Sequence, residues 1–192
     1  MISIATIGPN GSNGHIAAGQ YNEVAKIVLK NTINDVLHSL NNGEVELAIV
    51  PVYNTREGEV KDYFRYMETN DSLFWIDNIV LSIQVSLGYF SDVEFSRKNI
   101  KTIYSRNSVF KQCDEYISTN FPDAILVSVK NIQDIFDHLK KNIDETSCII
   151  ETEPLLKSNG YQIIERELVS HNKTRFAVIG KQLTETTGYD AT

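Results

Sequence analysis

Apolar residues along the chain switch between the two periodicities of regular structure. Residues 2–7, "ISIATI", form a short apolar run that predicts a strand, and 14–23 predict a helix. A strand at 26–30, a helix at 33–42 and a strand at 46–52 follow. In the second helix Ile33, Val36, Leu37 and Leu40 fall at i, i+3, i+4 and i+7, one apolar stripe, and Gly43 ends it. The same strand–helix–strand–helix–strand order returns at 101–105, 108–120, 124–129, 131–141 and 147–151, without any repeat of sequence. Such units favour parallel sheets joined by right-handed crossovers.

Two extended stretches flank the second unit. One is 73–90, "LFWIDNIVLSIQVSLGYF"; the other, 161–170, leads into "TRFAVIG". They predict a chain that crosses to a second lobe and comes back. Lobe one is expected to hold 1–79 plus 166–192, and lobe two 80–165. Ligands of open α/β sheets sit at the C-terminal ends of the strands, which in a two-lobed version open on the cleft between lobes. The loops "GPNGSNG", "PVYNTREG" and "SRNS" occupy such ends.

Composition narrows the function classes. The chain has 192 residues, 42% hydrophobic and 22% charged, as expected of a globular protein with a real core. A net charge of −7 argues against nonspecific binding to nucleic acid or an anionic membrane. Cys113 and Cys148 are too few for a disulfide framework and lack metal-ligand spacing, so a reduced, cytoplasmic setting is expected. The N-terminus enters a strand at once and does not read as a signal peptide; no apolar run is long enough to span a bilayer. The tail 184–192 is expected to fray.

Three stretches carry candidate chemistry. Gly8, Gly11 and Gly14 lie where the first strand meets a helix, a junction able to present backbone N–H groups to an anion. The spacing is neither the phosphate-binding P-loop nor the dinucleotide fingerprint. Gly11, Ser12 and Asn13 are therefore candidates for holding a carboxylate, against the alternative that Ser12 is an ordinary helix N-cap. Asn54 and Thr55 follow the third strand. Thr174 and Arg175 open the last apolar strand, where an arginine can clamp a carboxylate through two hydrogen bonds; a structural ion pair is the plain alternative. His15, His38, His138 and His171 show no metal spacing, and only His171 lies near the Thr-Arg pair. No Ser-His-Asp set, paired-carboxylate motif or metal cluster is visible. The expectation is a site without metal or cofactor that uses hydroxyls, amides, an arginine and a helix end on a small carboxylate.

In their order along the chain these stretches resemble the catalytic domain of prephenate dehydratase. Its strand–Gly-Pro-x-Gly-Thr opening is matched by "IGPNGSNGHIAA", and its Val-Pro-Ile-Glu-Asn-Ser segment by "VPVYNTREG". Its Ser-His-Pro and Gln-Cys are matched by "SRNSVFKQC", and its Asn-x-Thr-Arg-Phe by "NKTRFAVIG". The resemblance implies an α/β, two-lobed, type-II periplasmic-binding-protein-like fold with the active site in the interlobe cleft. It implies that Thr174 is the catalytic threonine and Arg175 its neighbouring substrate-site arginine. Asn54, Thr55, Ser12, Ser105 and Phe176 then stand at substrate-contacting motif positions. It also implies a dimer or tetramer.

The departures are specific. The family's Thr–aromatic–Ser is Ser12-Asn13-Gly14, its Glu-Asn-Ser is Tyr53-Asn54-Thr55, and its Ser-His-Pro is Ser105-Arg106-Asn107. Asn131-Ile132-Gln133 replaces Ser-Thr-Ala. Nearly all of them are expected to face the cleft, and they are expected to indicate a specialised, secondary-metabolic lyase acting on prephenate or a related cyclic or aryl-acetic acid. The alternatives are a prephenate decarboxylase that does not aromatise, tropone-type ring chemistry on a thioester, and a non-catalytic small-anion binding module. The chain ends soon after Thr-Arg-Phe, so no C-terminal amino-acid-sensing domain, and no phenylalanine feedback through one, is expected.

Overall fold

The computed structural model describes residues 1–90, 94–142 and 144–183. The tail expected to fray lies outside these described residues. The chain begins β1 (Ser3–Ile7), α1 (Asn13–Tyr21), β2 (Lys26–Lys30), α2 (Ile33–Asn41) and β3 (Leu47–Asn54). A two-residue strand β4 (Gly58–Glu59), helix α3 (Lys61–Met67) and the long β5 (Phe74–Ser82) follow. Beyond a short link come β6 (Val85–Tyr89), β7 (Thr102–Ser105), α4 (Asn107–Gln112), α5 (Asp114–Asn120) and β8 (Ile125–Ser128). The chain then forms α6 (Ile132–Lys141), β9 (Ser147–Thr152), α7 (Glu153–Ser158), β10 (Gln162–Glu165) and β11 (Lys173–Gly180).

These strands form two sheets of matching topology. The first runs β2-β1-β3-β11-β5 with β4 added on β3, and the second runs β10-β6-β9-β7-β8. In each, three parallel strands are followed by an antiparallel strand that has just crossed from the other sheet: β11 in the first and β6 in the second. The crossings lie between Ser82 and Val85 and between Glu165 and Lys173, so the single β-rich stretch expected at 73–90 is divided between the sheets. This is the two-lobed, type-II periplasmic-binding-protein-like arrangement.

Strand alternation explains the layers. On the outer face of the first sheet Ala5, Ala48, Val50, Ala177 and Ile179 pack against Val36, Leu37 and Leu40, the stripe of α2. The opposite face, with Ile4, Ile49, Phe176 and Val178, shares one core with Leu87, Ile103 and Ile150 of the second sheet. A separate cluster around Phe136, Ile149 and Leu156 covers the second sheet's outer face. A capping box starts α2, with Thr32 Oγ1 accepting from the Asp35 amide and Asp35 Oδ2 from the Thr32 amide.

Two elements depart from expectation. The helix expected over 108–120 breaks at Cys113, whose amide is shared between the Val109 and Phe110 carbonyls. No proline or glycine marks that break, and Val109, Cys113 and Ile117 keep both pieces on the core. The short α7 carries Pro154 in its first turn, a position that suits proline because the missing N–H has no helical partner there.

Gly14 has a packing reason distinct from ligand binding. A Cβ there would lie 2.7 Å from both the Ile7 carbonyl oxygen and Thr6 Oγ1, so α1 lies on β1 only without a side chain at this point. Gly14→Ala should cost about 2 kcal/mol through overpacking, lowering the thermal midpoint by roughly 4–8 °C. Gly19→Ala on the same helix has open space. It should leave stability unchanged or raise it by up to about 1 kcal/mol. Thermal melts of the two variants check this, and equal losses would refute the close-approach explanation.

Candidate active site

Parallel strands present their C-terminal ends in one direction, and here both sheets turn those ends toward each other. The loop after β1, the end of β3 and the start of β11 form one wall; Arg106, just past β7, and α4 form the other. Between them lies a cavity of about 590 Å³. Its apolar floor includes Phe176, Val85 and Val109, and its polar lining includes Asn13, Asn54, Arg106, Gln112 and Thr174. Asn13 and Gly14 begin α1 at this wall, where helix N-terminal amides favour an anion.

Pairing of β3 with β11 sets Asn54 directly opposite Thr174. Asn54 Oδ1 accepts from the backbone amides of Arg56 (2.8 Å) and Glu57 (3.0 Å). Only an oxygen can accept both, so the amide orientation is determined. Asn54 Nδ2 donates its two hydrogens to Thr174 Oγ1 and to Asn172 Oδ1, each at 2.8 Å. Asn54 is saturated. Thr174 is buried on the cavity wall and accepts from Asn54, while its own O–H meets no acceptor among the described residues.

Besides Lys111, which pairs with Glu57 at 3.7 Å, the second wall carries Arg106. Its Nε donates to Glu151 Oε2 at 3.1 Å and its Nη2 to Oε1 at 2.9 Å, a planar two-point contact. Glu151 is 0% exposed and also accepts from the Thr152 amide at 2.9 Å. The Arg106 side chain remains 26% exposed and lines the cavity, with Nη1 uncommitted among the described residues. Neighbouring Cys113 is inert as a nucleophile at neutral pH. Burial, and secondarily the charge of Glu151, pushes its thiol up to about 12.

The other expected residues fall in different places. Phe176 forms the floor, and Ser12 lines the cavity as the N-cap of α1. Its hydroxyl donates to the Ile7 carbonyl at 2.7 Å and accepts from the His15 amide, so it serves the turn. Gly11 turns away: its amide donates to His15 Nδ1, and a Cβ there would meet Leu155 at 3.6 Å. Ser105 is wholly buried and donates to the Ile150 carbonyl. Thr55 donates to the His171 carbonyl and accepts from the Lys173 amide, which ties down the loop before β11 outside the cavity. His171 is exposed.

Arg175 faces solvent. It sits between Thr174 and Phe176, which both line the cavity, so alternation along β11 turns it to the other face beside exposed Tyr53 and Val80. The expectation that it clamps a carboxylate in the cleft does not match this geometry. The departures divide in the same way. Asn13, Gly14 and Arg106 line the cavity, whereas Tyr53 is 47% exposed outside it and Asn131 caps α6. Arg106 was expected at the cleft only as a departure from the family pattern, and Gln112 on the cavity wall and Asn172 behind it were not among the expected contacts. The signals were present in "SRNSVFKQC" and in the Asn of "NKTRF".

A two-sheet α/β protein of this topology, with hydroxyl, amide and guanidinium groups lining its interlobe cleft, falls in the class of periplasmic-binding-type folds. Within that class the relationship is specific. The family model described as prephenate dehydratase matches residues 4–184, and the chain belongs to the prephenate dehydratase family. The bifunctional chorismate mutase/prephenate dehydratase of Buchnera aphidicola subsp. Acyrthosiphon pisum (strain APS) is 30% identical over 181 residues, covering 91% of this chain and 46% of that protein. The chain thus spans about half the length of the first curated relatives it matches. The fold is shared with the prephenate dehydratase of Arthrobacter aurescens crystallised with L-Phe. That likeness has a TM-score of 0.81 and 22% identity, over 97% of this chain and 63% of that one. It is shared too with GqqA, described as a novel type of quorum quenching acylase, at TM-score 0.74 and 16% identity over 95% of this chain and 65% of that one.

The Arg106–Glu151 pair has a consequence for stability. Arg106→Ala leaves a buried carboxylate without its counter-charge and should cost about 3–5 kcal/mol. Adding Glu151→Gln should recover most of that loss. Arg175→Ala, on the solvent face, should change stability by less than about 0.5 kcal/mol. Urea unfolding of the variants measures all three. A double variant no more stable than Arg106→Ala alone would refute the pairing argument.

Proposed function

We propose that the protein is a lyase of the prephenate dehydratase type, acting on prephenate or a related cyclic or aryl-acetic acid held in the interlobe cavity. The observation that carries this reading is Thr174. Its oxygen is occupied by Asn54, its proton has no acceptor among the described residues, and it lines the cavity. Such a hydroxyl is a donor kept for a guest.

In this reaction the bond between the ring and its carboxylate breaks and CO₂ leaves. The electron pair moves through the ring, the carbon–oxygen bond opposite breaks, and the departing hydroxide takes a proton from solvent and leaves as water. Aromatisation drives the step. The protein holds the acid and stabilises charge on the departing oxygen. Thr174 donates a hydrogen bond to that oxygen; a hydroxyl of so high a pKa is not a conventional acid at neutral pH. The free edge of Arg106 and the first amides of α1 hold carboxylate. Phe176 and Val109 exclude water from the ring, which strengthens each of these contacts. The arginine at position 106, where the family has a histidine, supports a specialised substrate and a secondary-metabolic role. A homo-oligomer and a cytoplasmic setting remain part of this proposal; among the described residues no helix is long and apolar enough to cross a membrane.

Incubation with prephenate, following phenylpyruvate absorbance in alkali, tests the reading. Thr174→Ala should lower kcat by about 10²–10³ while Thr174→Ser keeps most activity. Prephenate consumed with CO₂ release and without phenylpyruvate would support the non-aromatising decarboxylase instead. Saturable binding without consumption would support a binding module, and neither binding nor consumption would point to another substrate.

A further inference from the structure

Asn172 is one of the places where the two crossings meet, alongside the Gln84–Glu167 contact. Its carbonyl accepts from the Ile83 amide at 2.8 Å, which fixes it to the outgoing link, while it lies itself at the end of the returning one. Its side chain is buried and bridges the lobes. Asn172 Oδ1 accepts from Asn54 of the first lobe, and Asn172 Nδ2 donates to Gln112 Oε1 of the second, each at 2.8 Å. The two backbone amides on Asn54 set the polarity of this chain throughout. Asn54 must offer Nδ2, Asn172 must therefore turn Oδ1 toward it and Nδ2 away, and Gln112 must answer with Oε1. The same Asn54 amide donates to Thr174 Oγ1, which obliges the Thr174 proton to point elsewhere.

We infer that Gln112, Asn172 and Asn54 form a hydrogen-bond relay that reports closure of the second lobe to the Thr174 hydroxyl, with Asn172 the positioning residue at its centre. The inference rests on the role proposed for Thr174. Every member of the relay is part of one connected network, and only Gln112 belongs to the second lobe. With the lobes apart, Asn172 Nδ2 loses its acceptor and the Asn172 amide is free to rotate. Asn54 then has no fixed acceptor for one of its hydrogens, and its second hydrogen no longer holds Thr174 Oγ1 in a single orientation. With the lobes together the donor is aimed. The 3.7 Å ion pair between Lys111 and Glu57 lies beside this contact and joins the same two walls.

The test is a set of substitution cycles on turnover together with a readout that needs no turnover. Gln112→Ala and Asn172→Ala should each lower kcat about tenfold or more with a smaller change in KM. The double variant should be no slower than the worse single one, and in a Thr174→Ala background neither should cost anything further. Gln112→Ala raising KM, and adding its full effect to Asn172→Ala, would mean direct substrate contact and would overturn the relay. So would Asn172→Ala lowering the melting temperature while the folded enzyme keeps its kcat. Independently, hydrogen exchange at the Asn54 side-chain amide, followed by NMR, should quicken about tenfold in Gln112→Ala, although no hydrogen bond joins the two residues directly. Unchanged exchange would also overturn the inference. Because the NMR readout does not depend on substrate, absence of prephenate turnover in the wild type would count against the proposed function and leave the relay to be judged by exchange.

Discussion

The site depends on one insertion: the strand that returns from the second lobe enters the first sheet between β3 and β5. Pairing with β3 puts Thr174 opposite Asn54, and the loop just before β11 brings Asn172 and the anchoring contacts of Thr55 to the same point. A hydroxyl at a strand end is ordinary. A hydroxyl whose oxygen is held by an amide that is itself held by two backbone N–H groups has a defined direction, and that is a property of the sheet topology. Burial strengthens the constraint, because an unpaired amide hydrogen in this position has little water to turn to.

The second wall follows a different logic. Arg106 alone would be a mobile cation at the cleft, and Glu151 alone an untenable buried charge. Together they make a planar contact in which the carboxylate is desolvated only because the guanidinium covers it. What remains of Arg106 toward the cavity is an oriented edge, whose reach for an anion is tempered by the carboxylate behind it. Thr174 and Arg106 thus line opposite walls of one cavity of about 590 Å³.

Much of this was legible in the residues. The strands around the apolar runs, the α2 stripe and the repeated order of elements followed from periodicity, and the ordered motifs pointed to the family. The side-chain geometry was less accessible. A serine in the sequence does not say which carbonyl it will serve, and Ser12 and Ser105 both serve backbone oxygens of their own lobe. Arg175 adjoins Thr174, but adjacency in a strand means opposite faces, so the arginine that reaches the cavity is Arg106, from the other lobe. The break at Cys113 left no mark because both helical pieces keep the same apolar face. Asn172 reads as a turn residue until the returning strand places it between two amides 60 and 118 positions away along the chain.

The central claim is that the hydroxyl of Thr174 is directed at the reacting centre of a ring acid bound between the lobes. A crystal structure of the Thr174→Ala protein with prephenate tests it most directly. The account predicts the ring hydroxyl within hydrogen-bond reach of where Oγ1 stood, with a carboxylate on the free edge of Arg106. Prephenate lodged elsewhere, or turned with its hydroxyl away from position 174, would contradict it.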